Sequence, residues 1–193
     1  LIKIKSLAVI GGAFDPVHFG HLKVIKRVAE MDFEKVLVMP TGSLTEKRSL
    51  ASPEDRLAML QLALEGLGVE IDSYELNKSE PSYTIDSVRE LQQRFPGAAI
   101  TWVVGSDILQ NLKNWHRSAE LASMVEILAV KRPSFEASEQ DWYPWKVQLI
   151  DIEAEDLSST QLRHLLASNR SVEPYLPQVV IDYIRKNGIY GAA

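Results

Sequence analysis

Short runs of uninterrupted apolar residues recur along this chain, separated by stretches with helical periodicity. That alternation constrains the fold more than any other feature. Leu7-Ala8-Val9-Ile10 reads as a strand running into Gly11-Gly12, and Val36-Leu37-Val38-Met39 as a second, stopped by Pro40. Residues 69–71, 100–104, 127–130 and 147–152 read as four more. A strand with one wet face alternates apolar and polar residues. A run that is apolar throughout is buried on both faces, as in a parallel sheet covered by helices.

The intervening segments carry helix punctuation. Ser52 supplies a cap, Pro53 the first helical position, and Glu54 and Asp55 an acidic first turn. Leu57, Leu60, Leu64 and Leu67 then define an apolar face. Thr84 is placed to cap a helix carrying Ile85, Val88, Leu91 and Phe95, stopped by Pro96-Gly97. Pro177 opens a last helix, closed by Arg185, Lys186 and Gly188. The pattern predicts an α/β fold: a doubly wound, mostly parallel sheet with helices on both faces. The 193 residues suit one domain, with a C-terminal helical part (158–190) packed on it. Residues 131–146, with two prolines and two of the four tryptophans, are expected to form a long surface connection.

Composition narrows the function. Acidic residues exceed basic ones, 26 to 21, for a net charge of −5, which argues against nucleic acid as a partner. There is no cysteine, so disulfides, thiolate zinc sites and cysteine nucleophiles are excluded. The apolar runs are too short to span a bilayer, and no membrane role is expected. The chain starts at Leu1, and glycines, Asp15 and Pro16 interrupt its first apolar run, which makes a poor secretory leader. A cytoplasmic location is the expectation, with a homo-oligomer left open.

In such a sheet, ligands bind beyond the carboxyl ends of the strands. The first strand leads into Gly11-Gly12-Ala13-Phe14-Asp15-Pro16-Val17-His18-Phe19-Gly20-His21. Gly11 and Gly12 allow a tight turn and a close approach of ligand to backbone. His18 and His21 share a face at a helix start, whose amides and dipole attract anions. A packed helix start is the ordinary alternative. A zinc pair is another, but no third ligand is spaced to complete it. The glycine spacing fits neither a dinucleotide fingerprint nor a P-loop. Late in the chain, Ser158-Ser159-Thr160-Gln161-Leu162-Arg163 holds a capping box, Ser158 with Gln161. Alone it would be a well-capped helix; Arg163 beside three hydroxyls adds donors and a fixed cation suited to a polyphosphate.

The segments 11–21 and 158–163 resemble the two signature motifs of the nucleotidyltransferase superfamily. Further segments resemble the bacterial nicotinate mononucleotide adenylyltransferases: 51–60, Pro81-Ser82-Tyr83-Thr84, Gly105-Ser106-Asp107, Trp115-His116-Arg117, Arg132-Pro133 and Gly188-Ile189-Tyr190. The resemblance implies the Rossmann-like nucleotidyltransferase fold and adenylyl transfer from ATP to nicotinate mononucleotide. It implies that His18, His21 and Arg163 are catalytic. Gly11, Gly12, Ala13, Phe14, Ser158, Ser159, Thr160 and Lys47 would then bind ATP, and Mg²⁺ would ride on its phosphates without dedicated protein ligands. Tyr83, Thr84, Gly105, Asp107, Trp115 and Arg132 would hold the mononucleotide, with Trp115 stacked on the pyridine ring. Two segments depart from the family. Residues 41–48 lack its Pro-Pro-His-Lys, and Ala13 stands where it has threonine or serine. The alternatives are transfer to nicotinamide mononucleotide or another phosphate acceptor, or a weakly active nucleotide-binding protein.

Overall fold

The computed structural model describes residues 3–42, 51–131, 142–152 and 158–192. Six strands form one sheet: β1 (Ser6–Gly12), β2 (Lys35–Pro40), β3 (Glu70–Ile71), β4 (Ala99–Gly105), β5 (Glu126–Lys131) and β6 (Val147–Asp151). Their order is β3-β2-β1-β4-β5-β6, and every neighbouring pair is parallel. The expected strands are all present, and the sheet is parallel throughout rather than mostly so.

Both faces are covered, which is why the strand runs lack polar alternation. Ala8, Ile10 and Val38 point to one side, where α1 (Phe19–Ala29), α2 (Pro53–Leu64), α5 (Ser159–Ala167) and α6 (Gln178–Lys186) supply the facing residues. Leu7, Val9, Leu37 and Trp102 point to the other. There they meet α3 (Thr84–Arg94), a 3₁₀ helix (Ser106–Asn114) and α4 (Ser118–Met124). Val172, Val180, Ile181, Ile184 and Ile189, near the chain's end, share the first core with β1 and β2.

Several local expectations needed correction. The buried face of α2 is Arg56, Met59, Leu60 and Leu64; Leu57 is half-buried and Leu67 lies past the helix end. Thr84 is the first residue of α3, and its cap position is Tyr83, which makes no side-chain capping bond. Trp142 and Trp145 were expected on the surface but are buried in the second core. The remainder of that connection, 132–141, lies outside the described residues. Strand β6 is a sheet edge, with Leu149 exposed, so its apolar run is buried on one side at most. Other caps match the sequence. Ser52 Oγ accepts the Asp55 N–H at 3.0 Å, Ser158 and Gln161 form the capping box, and Gly188 follows α6 with φ +61°. Among the described residues, no helix is long and apolar enough to cross a membrane.

The topology opens one crevice. β1 pairs with β4 only as far as Ile10↔Val103, whereas its pairing with β2 continues to Gly12↔Pro40. The chain leaves β1 toward β2 and returns from β3 to β4, so strand order reverses between β1 and β4. That switch point is where open α/β sheets hold ligands.

Candidate active site

The two signature segments meet at this crevice. Gly11 and Gly12 end β1, and neither has a positive φ. Their role is close approach: a Cβ on Gly11 would lie 3.3 Å from Trp102 Cζ2, and one on Gly12 3.1 Å from the Phe14 ring. The left-handed residue of the turn is Phe14, at φ +49°. Its buried ring sets its edge against His21, with ring centroids 4.9 Å apart.

His18 is the N-cap of α1. Its Nδ1 accepts the His21 N–H at 3.4 Å, and the two imidazoles stack at 3.7 Å between centroids. A nitrogen that accepts carries no proton, so the neutral His18 ring bears its hydrogen on Nε2. Gly20, which the sequence reading passed over, makes this possible: a Cβ there would lie 2.9 Å from His18 Cε1. The helix start offers fewer spare amides than expected, because Phe19 N–H donates to the Tyr175 carbonyl and His21 N–H to His18.

Segment 158–163 docks on the first loop. Arg163 Nη1 donates to the Asp15 carbonyl at 2.8 Å and lies 3.7 Å from Asp15 Oδ2, while Nη2 donates to Thr160 Oγ1 at 3.1 Å. Ser159 Oγ donates to the Pro16 carbonyl at 3.3 Å. Residues nearly 150 positions apart thus form one cationic, donor-rich wall beside the histidine pair.

Behind that wall lies a network that sequence reasoning missed. Arg56 has 0% exposure, and its Nη1 donates to the carbonyls of Ala13 (2.9 Å) and Thr41 (2.8 Å). Burial lowers its pKa, opposed by the facing Asp15 carboxylate. Asp15 Oδ1 accepts from Tyr190 O–H at 2.6 Å and from Ala51 N–H at 3.2 Å. Burial, then Asp15, pushes the Tyr190 phenol well above its ordinary value. The signal for Arg56 was its position, three and four residues before Met59 and Leu60 on the buried face of α2.

Across the crevice the lining is aromatic. Tyr83, 46% exposed, stacks on His116 with centroids 4.3 Å apart. Trp115 is half-buried and meets Trp145 edge to face at 5.9 Å. Thr84 starts α3, Gly105 ends β4, and Asp107 is exposed in the first turn of the following 3₁₀ helix. Below them Glu75 is buried and accepts from Ser87 O–H at 2.6 Å. Burial raises its pKa against the lowering effect of Ser87 and the Gly42 amide. Lys47 and Arg132 lie outside the described residues. Among the described residues, no three His, Asp or Glu side chains converge as metal ligands.

Comparison with known proteins gives the family. Residues 9–165 match the cytidylyltransferase-like family. A probable nicotinate-nucleotide adenylyltransferase of Streptococcus mutans is 34% identical over 190 residues, 96% of this chain and 89% of that protein. One from Methylacidiphilum infernorum is 35% identical over 188 residues, 95% of this chain and 91% of its own. Among solved structures, Plasmodium falciparum nicotinic acid mononucleotide adenylyltransferase complexed with NaAD superposes with a TM-score of 0.85. That match covers 98% of both chains at 21% identity, a likeness of fold. With the family matched over residues 9–165 and its relatives over nearly their whole length, this chain belongs to the cytidylyltransferase-like nucleotidyltransferases, in the nicotinate-nucleotide adenylyltransferase branch.

Proposed function

We propose that this protein transfers the adenylyl group of ATP to nicotinate mononucleotide, giving nicotinate adenine dinucleotide and pyrophosphate, as one cytoplasmic domain serving NAD biosynthesis. The observation that carries this reading is the junction of Arg163 and Ser159 with the 13–16 loop, beside His18. Relatives at 34–35% identity bear the name of this activity.

In the proposed reaction a phosphate oxygen of the mononucleotide attacks the α-phosphorus of ATP. The new O–Pα bond forms as the bond to the pyrophosphate oxygen breaks. The attacking monoester has a second pKa of about 6, so it is largely dianionic already and needs no general base. Catalysis then consists of alignment and stabilisation of charge. His18 Nε2–H and His21 face the α-phosphoryl. Arg163, the hydroxyls of Ser158, Ser159 and Thr160, and Lys47 take the outer phosphates. Gly11, Gly12, Ala13 and Phe14 line the approach. Proteins of this family generally depend on a divalent metal ion. The residues present suit Mg²⁺ held mainly by the phosphates, where it would neutralise charge.

Trp115 seats the pyridine ring, the amides of Tyr83 and Thr84 at the start of α3 meet its carboxylate, Gly105 and Asp107 hold ribose, and Arg132 meets the phosphate. The test is pyrophosphate release from ATP with nicotinate mononucleotide, nicotinamide mononucleotide and phosphopantetheine in parallel. The highest kcat/KM is expected with the first. Preference for another acceptor, or ATP binding without turnover on any, overturns the proposal.

A further inference from the structure

Besides Arg163 and Ser159, two residues from other parts of the chain bond the 13–15 loop: Arg56 at Ala13 and Tyr190 at Asp15. We propose that Arg56 and Tyr190 are positioning residues: together they clamp the 13–15 loop and thereby hold Arg163 where a polyphosphate needs it. This rests on the reading that the crevice binds ATP, and extends it to residues outside the signatures.

Burying an arginine completely costs several kcal/mol unless the charge is paired and hydrogen-bonded. A structural arginine could satisfy itself within one element. Arg56 instead spans two: one nitrogen bonds the carbonyl of Ala13, after β1, and that of Thr41, after β2. These are the points where the strands stop pairing, just beyond Gly12↔Pro40, and Thr41 N–H also donates to the Gly12 carbonyl at 2.9 Å. Arg56 Nε and Nη2 have no hydrogen-bond partner among the described residues.

Tyr190 completes the clamp from the chain's end. It adopts φ +60°, an uncommon backbone for tyrosine, and in this conformation its hydroxyl meets the Asp15 carboxylate. That carboxylate lies 3.7 Å from Arg163, and the carbonyl of the same residue takes the Arg163 hydrogen bond. Arg56 thus fixes the loop at Ala13, Tyr190 fixes it at Asp15, and Arg163 is oriented by both groups of Asp15.

The variants are Arg56→Met, Arg56→Lys and Tyr190→Phe. Each is measured by thermal melting, by calorimetry with ATP alone, and by steady-state turnover. Arg56→Met is expected to weaken ATP binding and lower kcat by about tenfold to a hundredfold, the scale of a misplaced catalytic group. The mononucleotide KM should stay within about twofold on the same argument. Arg56→Lys, which keeps the charge but reaches less far, should recover part of the loss. Tyr190→Phe, which removes one hydroxyl, should show the same pattern more weakly and fold in any case. Folded variants with wild-type ATP affinity and kcat, or losses confined to melting temperature, overturn the clamp. Calorimetry with ATP separates the two ideas. If the wild type binds ATP without using nicotinate mononucleotide, the acceptor assignment fails while the clamp is still tested by affinity.

Discussion

The two sides of the crevice are built differently. Over β1 the lining is polar and cross-linked. Arg163, Ser159, Arg56 and Tyr190 converge on the 13–16 loop from three distant parts of the chain. Over β4 it is aromatic: Tyr83 stacks on His116 and Trp115 meets Trp145 edge to face, partly open to solvent. A polyphosphate is recognised by donors and cations that must sit within tenths of an ångström, so a surface for one benefits from groups fixed before binding. A flat ring is recognised by faces, and stacking tolerates small displacements. Order at one side and adaptable contact at the other suit a site that joins an anion-rich donor to a planar acceptor.

Breaking each side separately should give different kinetics. The largest effect is expected from His18→Ala, which removes the imidazole that the proposed mechanism sets facing the α-phosphoryl. We expect kcat to fall on the order of 10²–10³-fold with little change in mononucleotide KM. A selective rise in that KM would move His18 to the acceptor side. Trp115→Ala comes next. Loss of a stacking face worth about 1–3 kcal/mol should raise the mononucleotide KM roughly tenfold to a hundredfold and leave the KM for ATP alone. Equal changes in both constants would mean the two sides are not distinct.

The smallest effect concerns Glu75. Burial raises its pKa above 4.5 in the folded chain, so the native state keeps a proton that the unfolded state releases. Its contribution is therefore full below the unfolded value and declines as pH rises through the folded one. Glu75→Gln should remove that decline in urea-unfolding midpoints. An unchanged pH profile would show that Glu75 does not titrate there.

Much of this was legible in the sequence for physical reasons. Strands buried on both faces must be apolar throughout, so their runs stand out. Ser52-Pro53 and Ser158 with Gln161 write helix starts in adjacent residues. The two signatures were visible as donor-rich segments, though not that Arg163 would bond the Asp15 carbonyl. Arg56 was harder. Charge argued for the surface, and its partners are backbone carbonyls, which carry no side-chain signal. Trp142 and Trp145 lay in a segment whose prolines and acids read as exposed, while their burial depends on the second core beneath them. Gly20 is explained only by the His18 ring, a contact no spacing rule announces.

In the proposed reaction the donor-rich side holds the ATP phosphates and the aromatic side the pyridine. Crystallography of the protein with nicotinate adenine dinucleotide tests it most directly. The pyridine ring is expected on Trp115 and the adenosine-side phosphate within hydrogen-bonding distance of His18 Nε2. A dinucleotide bound in the reverse direction, or away from the β1–β4 crevice, would contradict it.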